Sequence, residues 1–232
     1  MRILVTADYQ VLSYAAAEVI VKAVRGKAGA VLGLPTGRTP LGMYDELVEA
    51  YRTHGLDFSQ VRTFNLDEYL GLAPADHNSF RAYMHRHFFD HVNIPPENVQ
   101  IPDQVDDYEP AIREAGGIDL LVVGIAANGH IAFNEPGSSF TSRTRIVDLA
   151  PESIENVAKQ FGKDVVPRQA ITMGIGTILE SRHILLLASG KAKADIVRRA
   201  LRGPITESVP ASSLQMHPNV IVILDEEANL YV

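Results

Sequence analysis

The sequence predicts an α/β fold in which a mostly parallel sheet is covered on both faces by helices. Strand-like runs rich in Val, Ile and Leu alternate with segments of helical periodicity along most of the 232 residues, the pattern of strands joined by crossover helices. The runs are apolar throughout, so neither face of the sheet is left to water. Polar clusters follow four of the runs, as in an open sheet whose ligand lies beyond the carboxyl ends of its strands.

The elements follow in order. RILVTA is a first strand, and Val11, Tyr14, Ala15, Val19, Ile20 and Val21 recur at helical spacing until Gly26. AVLGL is a second strand, followed by the turn residues PTGRTP and a helix through LGMYDELVEAYRTHG. Next come strand VRTFNLD, helix SFRAYMHRHFFDHV, a short strand near NVQIP, helix YEPAIREAG and strand IDLLVVGI. After a polar middle section, strand HILLLAS, helix KAKADIVRRALRG and strand NVIVILD close the pattern. No linker-like tract and no repeat of 20 to 50 residues interrupts it, so residues 1–232 are expected to form a single domain.

Composition narrows the function. Lys plus Arg number 21 against 28 Asp plus Glu, a net charge of −7, so no overall field favours nucleic acid or an anionic membrane. An anionic ligand then requires a local cluster of donors. The absence of cysteine excludes disulfides, thiolate metal sites and a cysteine nucleophile. MRILVTADYQ is not a basic segment followed by an apolar signal stretch, and no uninterrupted apolar run reaches the length of about 18 residues needed to span a bilayer. The expectation is a cytoplasmic protein with a small-molecule substrate.

GLPTGRTP, Gly33 to Pro40, is a small, Thr-rich loop before a helix, where backbone N–H groups and the helix dipole favour an anion. It lacks the lysine and spacing of a Walker A loop. Its structural alternative is a turn with Thr39 as N-cap and Pro40 as the first helical residue. LASGKAKAD repeats the design, with Lys191 expected in the first turn of a helix, where a cation opposes the dipole but suits a bound phosphate. Lys193 cannot share the face of Lys191 and is expected to be solvated.

NLDEY places Asp67 and Glu68 at a strand end, and neighbours on an extended chain point opposite ways, so one carboxylate faces the crevice as a candidate general base. GIAANGHIAFNEP ends another strand with Asn128, His130 and Glu135 among small and apolar neighbours. His130 moves protons near neutrality, and Asn128 and Glu135 fix its tautomer or charge; the alternative is a satisfied core histidine in a Gly-rich turn. HRHFFDH sets His87 and His91 four apart, with His85 nearby, but lacks the Glu of H-E-x-x-H and a third ligand at a telling distance. These three are expected on the surface of an amphipathic helix. With no G-x-S-x-G elbow and no G-x-G-x-x-G fingerprint, the chemistry falls to side chains alone.

Taken together, LGLPTGRTPLGMY, FNLDEYLGL, HRHFFDHVNIP, GHIAFNEPGSSFTSRTR and LQMHPNVIVILDE closely resemble the glucosamine-6-phosphate deaminases, also called glucosamine-6-phosphate isomerases, from Val31 to Asp225. The resemblance implies a three-layer α/β sandwich similar to ribose-5-phosphate isomerase and the coenzyme A transferases. It implies an enzyme of amino-sugar catabolism, classed with hydrolases and isomerases, that turns α-D-glucosamine 6-phosphate and water into β-D-fructose 6-phosphate and ammonia. No metal or organic cofactor is implied. Carried over onto this chain, Asp67 takes the C2 proton and returns it at C1, and His130 opens the pyranose ring with Glu135 as charged partner and Asn128 assisting. The phosphate is expected on Thr36, Gly37, Arg38 and Thr39 with Lys191. The physical reading agrees, because aldose–ketose interconversion needs one base beside two neighbouring carbons and a separate acid–base group at the ring oxygen.

The chain departs from the family pattern in three places. Asn128 stands where many relatives have Asp. Lys159 aligns with a phosphate-binding arginine and cannot reproduce its bidentate contact. The chain stops at Val232, short of the carboxyl-terminal extension of longer allosteric relatives, which gives an expectation of hyperbolic, unregulated kinetics. The rival readings are a galactosamine-6-phosphate isomerase, a 6-phosphogluconolactonase-like hydrolase and a non-enzymatic sugar-phosphate sensor. Sequence leaves monomer and homo-oligomer equally open.

Overall fold

The computed structural model describes residues 1–73, 76–161 and 166–232. In chain order the elements are β1 (Arg2–Thr6), α1 (Tyr9–Gly26), β2 (Val31–Leu34), α2 (Leu41–His54), β3 (Arg62–Asn65), β4 (Asp67–Tyr69), α3 (Phe80–His87), β5 (Val99–Gln100), α4 (Val105–Glu114) and β6 (Leu120–Gly124). They continue with β7 (Arg145–Asp148), α5 (Pro151–Phe161), β8 (Gln169–Thr172), α6 (Ile175–Leu179), β9 (His183–Ala188), α7 (Ala194–Arg202) and β10 (Val220–Asp225).

Seven strands form one sheet in the order β1-β10-β9-β6-β2-β3-β5, and all neighbours run parallel. Side chains alternate along each strand, so successive residues enter different cores. Leu32, Leu34, Leu120, Val122, Leu185, Leu187 and Ile223 pack with α1 and α2 on one face. Val31, Leu121, Val123, Ile184, Leu186, Val222 and Leu224 pack with α4 and α7 on the other. Burial on both faces is why these strands read as continuous apolar runs. The chain leaves β2 toward β3 and β5, then returns to the opposite side of β2 with β6. That reversal opens a crevice at the carboxyl ends of β2 and β6.

The middle section contains more structure than its polarity suggests. VRTFNLD is not one strand: Leu66 donates its N–H to Leu34 O and accepts from Met173 N, and the chain passes into a second, antiparallel sheet, β4-β8-β7. Asp67 lies opposite Thr172 in that sheet, at the carboxyl edge of the main one. A small core of Tyr69, Phe133, Leu149, Val157 and Ala170 joins it to α5.

Three helix boundaries also differ from expectation. Residue Thr39 is not an N-cap, because α2 begins at Leu41 with Pro40 ahead of it and no side chain capping the end. Helix α3 stops at His87, where Phe88 turns away (φ −146°) to pack on Phe58 and Tyr44. His91 falls in a following 3-10 turn, so it shares no α-helical face with His87. Lys191 lies in a 3-10 turn, and α7 starts only at Ala194.

Candidate active site

The carboxyl ends of β3, β2, β6 and β9 are consecutive in the sheet, and three interstrand spacings set them along an edge of about 15 Å. The four polar clusters recognised in the sequence therefore line one crevice.

After β2, the amides of Thr36, Gly37, Arg38 and Thr39 find no acceptor among the described residues. Gly37 adopts φ +98°, a conformation that favours glycine, and space beside its Cα is open. Four free N–H groups in one turn are the complement of an anion.

After β3, Asp67 is 7% exposed, and its carboxyl receives no hydrogen bond among the described residues. Burial, reinforced by the neighbouring Glu68 charge, pushes it up to about 8. Glu68 points the other way, as predicted: Oε1 accepts from the N–H groups of Tyr69 (2.8 Å) and Phe80 (2.9 Å), and Oε2 from Arg81 (2.8 Å), which caps α3. One acid of the pair is tied to the backbone and the other receives no hydrogen bond among the described residues.

After β6, the loop folds back on itself. His130 Nδ1 lies 2.9 Å from Glu135 Oε2, which also accepts from Asn128 Nδ2 at 2.7 Å. Asn128 Oδ1 accepts from His130 N at 3.2 Å. Burial alone pushes the Glu135 carboxyl up, but His130, Ser153 and Asn128 outweigh it and bring the carboxyl down to about 2. An ionised Glu135 fixes the proton of a neutral ring on Nδ1 and leaves the lone pair on Nε2. Gly129 (φ +91°) keeps this turn tight, since a Cβ there would meet Ile196 and Val209 at 3.0 and 3.1 Å.

The sequence reading missed the residues that hold this loop. Asn134 is fully buried; its Nδ2 donates to Ile131 O (2.9 Å) and Met173 O (2.8 Å), and its Oδ1 accepts from Arg145 (2.9 Å). Thr172 Oγ1 accepts from Phe133 N at 3.0 Å, tying the loop to the strand paired with Asp67. Ser153, in the first turn of α5, donates to Glu135 Oε1 at 2.5 Å. Asn134 is legible as a lone amide within AFNEP; Ser153 and Thr172 reach the loop only through tertiary packing.

After β9, Asp225 at the end of β10 accepts from Ser189 Oγ (2.5 Å) and from Gly190 N, fixing the turn that carries Lys191. The Lys191 side chain is exposed and makes no ion pair among the described residues. Lys193, expected to be solvated, is partly buried instead, and that burial lowers its ammonium pKa despite Glu152. The Lys159 assignment lies outside the described residues, since only its backbone is described, in α5. The three histidines of HRHFFDH have local partners: His85 Nδ1 lies 2.8 Å from Asp90, His91 Nε2 2.9 Å from Arg86 O, and the His87 ring packs on Tyr83.

Comparison with known proteins places this geometry. Residues 7–222 match the family described as glucosamine-6-phosphate isomerases/6-phosphogluconolactonase. Glucosamine-6-phosphate deaminase 2 of Bacillus subtilis (strain 168) is 49% identical, covering 98% of this chain and 96% of its own. Glucosamine-6-phosphate deaminase of Thermoanaerobacter pseudethanolicus is 46% identical, covering 98% and 94%. A solved structure described as a monomeric glucosamine-6-phosphate deaminase superposes with a TM-score of 0.97 at 43% identity, covering 100% of both chains. The 6-phosphogluconolactonase of Leishmania guyanensis, at 21% identity and a TM-score of 0.77 over 98% of this chain and 97% of its own, shares the fold. With the family match spanning nearly the whole sequence, the chain belongs to the glucosamine-6-phosphate isomerase/6-phosphogluconolactonase family and stands within it among the glucosamine-6-phosphate deaminases.

Proposed function

We propose that the protein, acting through residues 1–232 as a single domain, converts α-D-glucosamine 6-phosphate and water into β-D-fructose 6-phosphate and ammonia. The observation that carries the reading is a buried carboxyl, Asp67, which receives no hydrogen bond among the described residues and stands on the same sheet edge as the His130–Glu135–Asn128 array. These are the two separate acid–base centres that the reaction needs. The names of the relatives at 46 to 49% identity support the same substrate.

In this reading the phosphate rests on the free amides of Thr36 to Thr39, with the Lys191 ammonium as counter-charge, and Lys159 is assigned to the same phosphate. Anchoring it orients the sugar, which is worth several kcal/mol of barrier. Nε2 of His130 takes the proton of the anomeric hydroxyl and delivers one to the ring oxygen, opening the pyranose to the aldehyde. Glu135 stays ionised throughout and stabilises the imidazolium formed in between. Asp67 then removes the C2 proton while the C2 ammonium gives one of its protons to O1, forming a neutral enolamine; Asp67 returns the C2 proton at C1, leaving C1 as CH2OH and C2 as an iminium. Water adds at C2, ammonia departs, and the ketone remains. The ammonium group on C2 of the incoming sugar supplies a positive neighbour for Asp67 and so favours its ionised, basic form. As an enzyme acting on a free sugar phosphate, the protein is assigned to the cytoplasm; among the described residues no helix is long and apolar enough to cross a membrane.

Ammonia release from glucosamine 6-phosphate, galactosamine 6-phosphate and 6-phosphogluconolactone, measured side by side, tests the assignment. Release from the glucosamine ester at the highest kcat/KM is expected. Acidification by the lactone without ammonia from either amino sugar would overturn it.

A further inference from the structure

The anion loop after β2 has an unusual arrangement of its carbonyl groups. Tyr44 OH, fully buried on α2, donates to Pro35 O at 2.6 Å. Tyr83 OH, on α3, donates to Gly37 O at 2.6 Å. Tyr9 OH, on the first residue of α1, donates to Arg38 O at 3.2 Å and accepts from Gly42 N at 2.8 Å. Three tyrosines from three helices thus hold three carbonyls of one short turn, while the four amides of Thr36 to Thr39 remain without acceptors among the described residues.

We propose that Tyr83 and Tyr9, with Tyr44 beneath them, are positioning residues that keep the carbonyl dipoles of the 35–38 turn directed away from the crevice and its amides directed into it. The proposal rests on the assignment of substrate phosphate to this loop and adds the device that gives the loop its polarity. A peptide group exposes either its N–H or its C=O to a ligand, and a carbonyl facing a phosphate dianion repels it. The Gly37–Arg38 peptide is the vulnerable one. Gly37 sits at φ +98° with no Cβ, so its own backbone does little to fix the orientation of the peptide that follows. The Tyr83 hydroxyl opposes that flip at the carbonyl oxygen, and Tyr9 does the same one residue on while bridging to the start of α2.

Tyrosine suits this task chemically. A lysine or arginine could hold a carbonyl equally well but would add charge behind the loop and compete for the phosphate; a phenol donates one hydrogen bond and stays neutral. Burial pushes the Tyr44 and Tyr83 hydroxyls above their usual range, so both remain donors wherever the enzyme works. The hydroxyls are also removable with little change of shape.

The test uses Tyr83→Phe and the double variant Tyr9→Phe/Tyr83→Phe, leaving the buried Tyr44 in place. KM for glucosamine 6-phosphate and the inhibition constant of inorganic phosphate are measured with kcat and thermal midpoint. A single hydrogen bond of ordinary strength corresponds to about fivefold, so KM and the phosphate constant should rise together by about fivefold in Tyr83→Phe and by more than tenfold in the double variant. The saturated kcat should hold within about twofold, and unphosphorylated glucosamine should compete as weakly as before. Tyr83→Trp, which restores a donor at the wrong reach, should not rescue phosphate affinity. Unchanged phosphate inhibition in a folded double variant, or a loss of kcat at unaltered phosphate affinity, overturns the positioning role. Wild-type protein that neither releases ammonia nor is inhibited by phosphate overturns instead the assignment beneath it.

Discussion

Replacing Asp67 by Asn should abolish isomerisation and, over the same pH range, stabilise the protein. The carboxyl is held at about 8 by burial, first, and by the Glu68 charge, against 3.8 when freely solvated. The sign follows from proton counting: between pH 3.8 and about 8 the folded state keeps a proton that the unfolded state has released, so stability falls as pH rises through that window and is level outside it. At pH 7 the accumulated loss is about 4 kcal/mol. Asparagine has the same shape and no ionisation, so it escapes this loss. The gap between variant and wild type should therefore widen by about 1.4 kcal/mol per pH step of one from pH 4 to 8, reaching roughly 10 °C in thermal midpoint at pH 7 for a chain of this size. Unfolding curves at intervals from pH 4 to 9 measure it, alongside solvent deuterium exchange at C2 of the substrate, which the variant should not catalyse although it still binds. A gap that is constant with pH would show that Asp67 titrates like a solvated acid. Persistent C2 exchange would show that another group is the base.

The other predictions concern the groups around it. Asn128→Asp puts a carboxylate where an amide now donates to Glu135 at 2.7 Å; Glu135 should titrate above its present value of about 2, the set should behave as coupled acids, and the acidic limb of kcat/KM should move to higher pH. A limb that stays put or moves down refutes the coupling. Ser153→Ala removes one donor from Glu135 and should cost about 1 kcal/mol at neutral pH, with kcat lowered severalfold and restored in Ser153→Thr; equal activity in all three proteins would make the contact incidental. Lys191→Ala should lower kcat/KM by more than tenfold through KM with the thermal midpoint held, because its charge is exposed and unpaired among the described residues; unchanged KM would mean that the anion is bound elsewhere.

The main sheet was legible because its strands are buried on both faces and so read as continuous apolar runs; Leu120 to Val123 and Ile184 to Ala188 are all essentially inaccessible. The second sheet was not, for a physical reason. Its strands are three or four residues long, two of them carry charged residues, adjacent in Asp67-Glu68-Tyr69 and at both ends of Arg145 to Asp148, and the β4–β8 pairing joins residues about a hundred apart. Register of that kind is set by packing around Tyr69, Phe133 and Ala170, which no local window contains. The same holds for α3, whose helical periodicity continues past His87 until Phe88 is claimed by Phe58 and Tyr44. Thr39 shows the opposite failure, since its capping propensity was real but α2 begins later and leaves the amides ahead of it without acceptors among the described residues. At the site, Asp67, Asn128, His130 and Glu135 were legible as polar residues misplaced among apolar ones, whereas Ser153 arrives from a helix 18 residues further along the chain.

Two carboxylates on one sheet edge are treated in opposite ways, and that contrast assigns their roles more firmly than either alone. Glu135 receives three side-chain donors, from His130, Asn128 and Ser153, and is brought down to about 2 despite burial. Its ionised form is the resting form, so it contributes stability above pH 4.5 that is lost as pH falls through about 2, and it is unsuited to exchanging protons with a sugar near neutrality. Asp67 receives no donor among the described residues and is left at about 8, where a proton leaves and returns at little cost. A fold that only needed to be stable would have paired Asp67 as it paired Glu68, with backbone amides at 2.8 to 2.9 Å one residue away. Environments that separate two acids in this way mark the permanent charge and the working base. In the proposed mechanism this contrast is why the proton shuttle from C2 to C1 is assigned to Asp67 and the support of the ring nitrogen to Glu135.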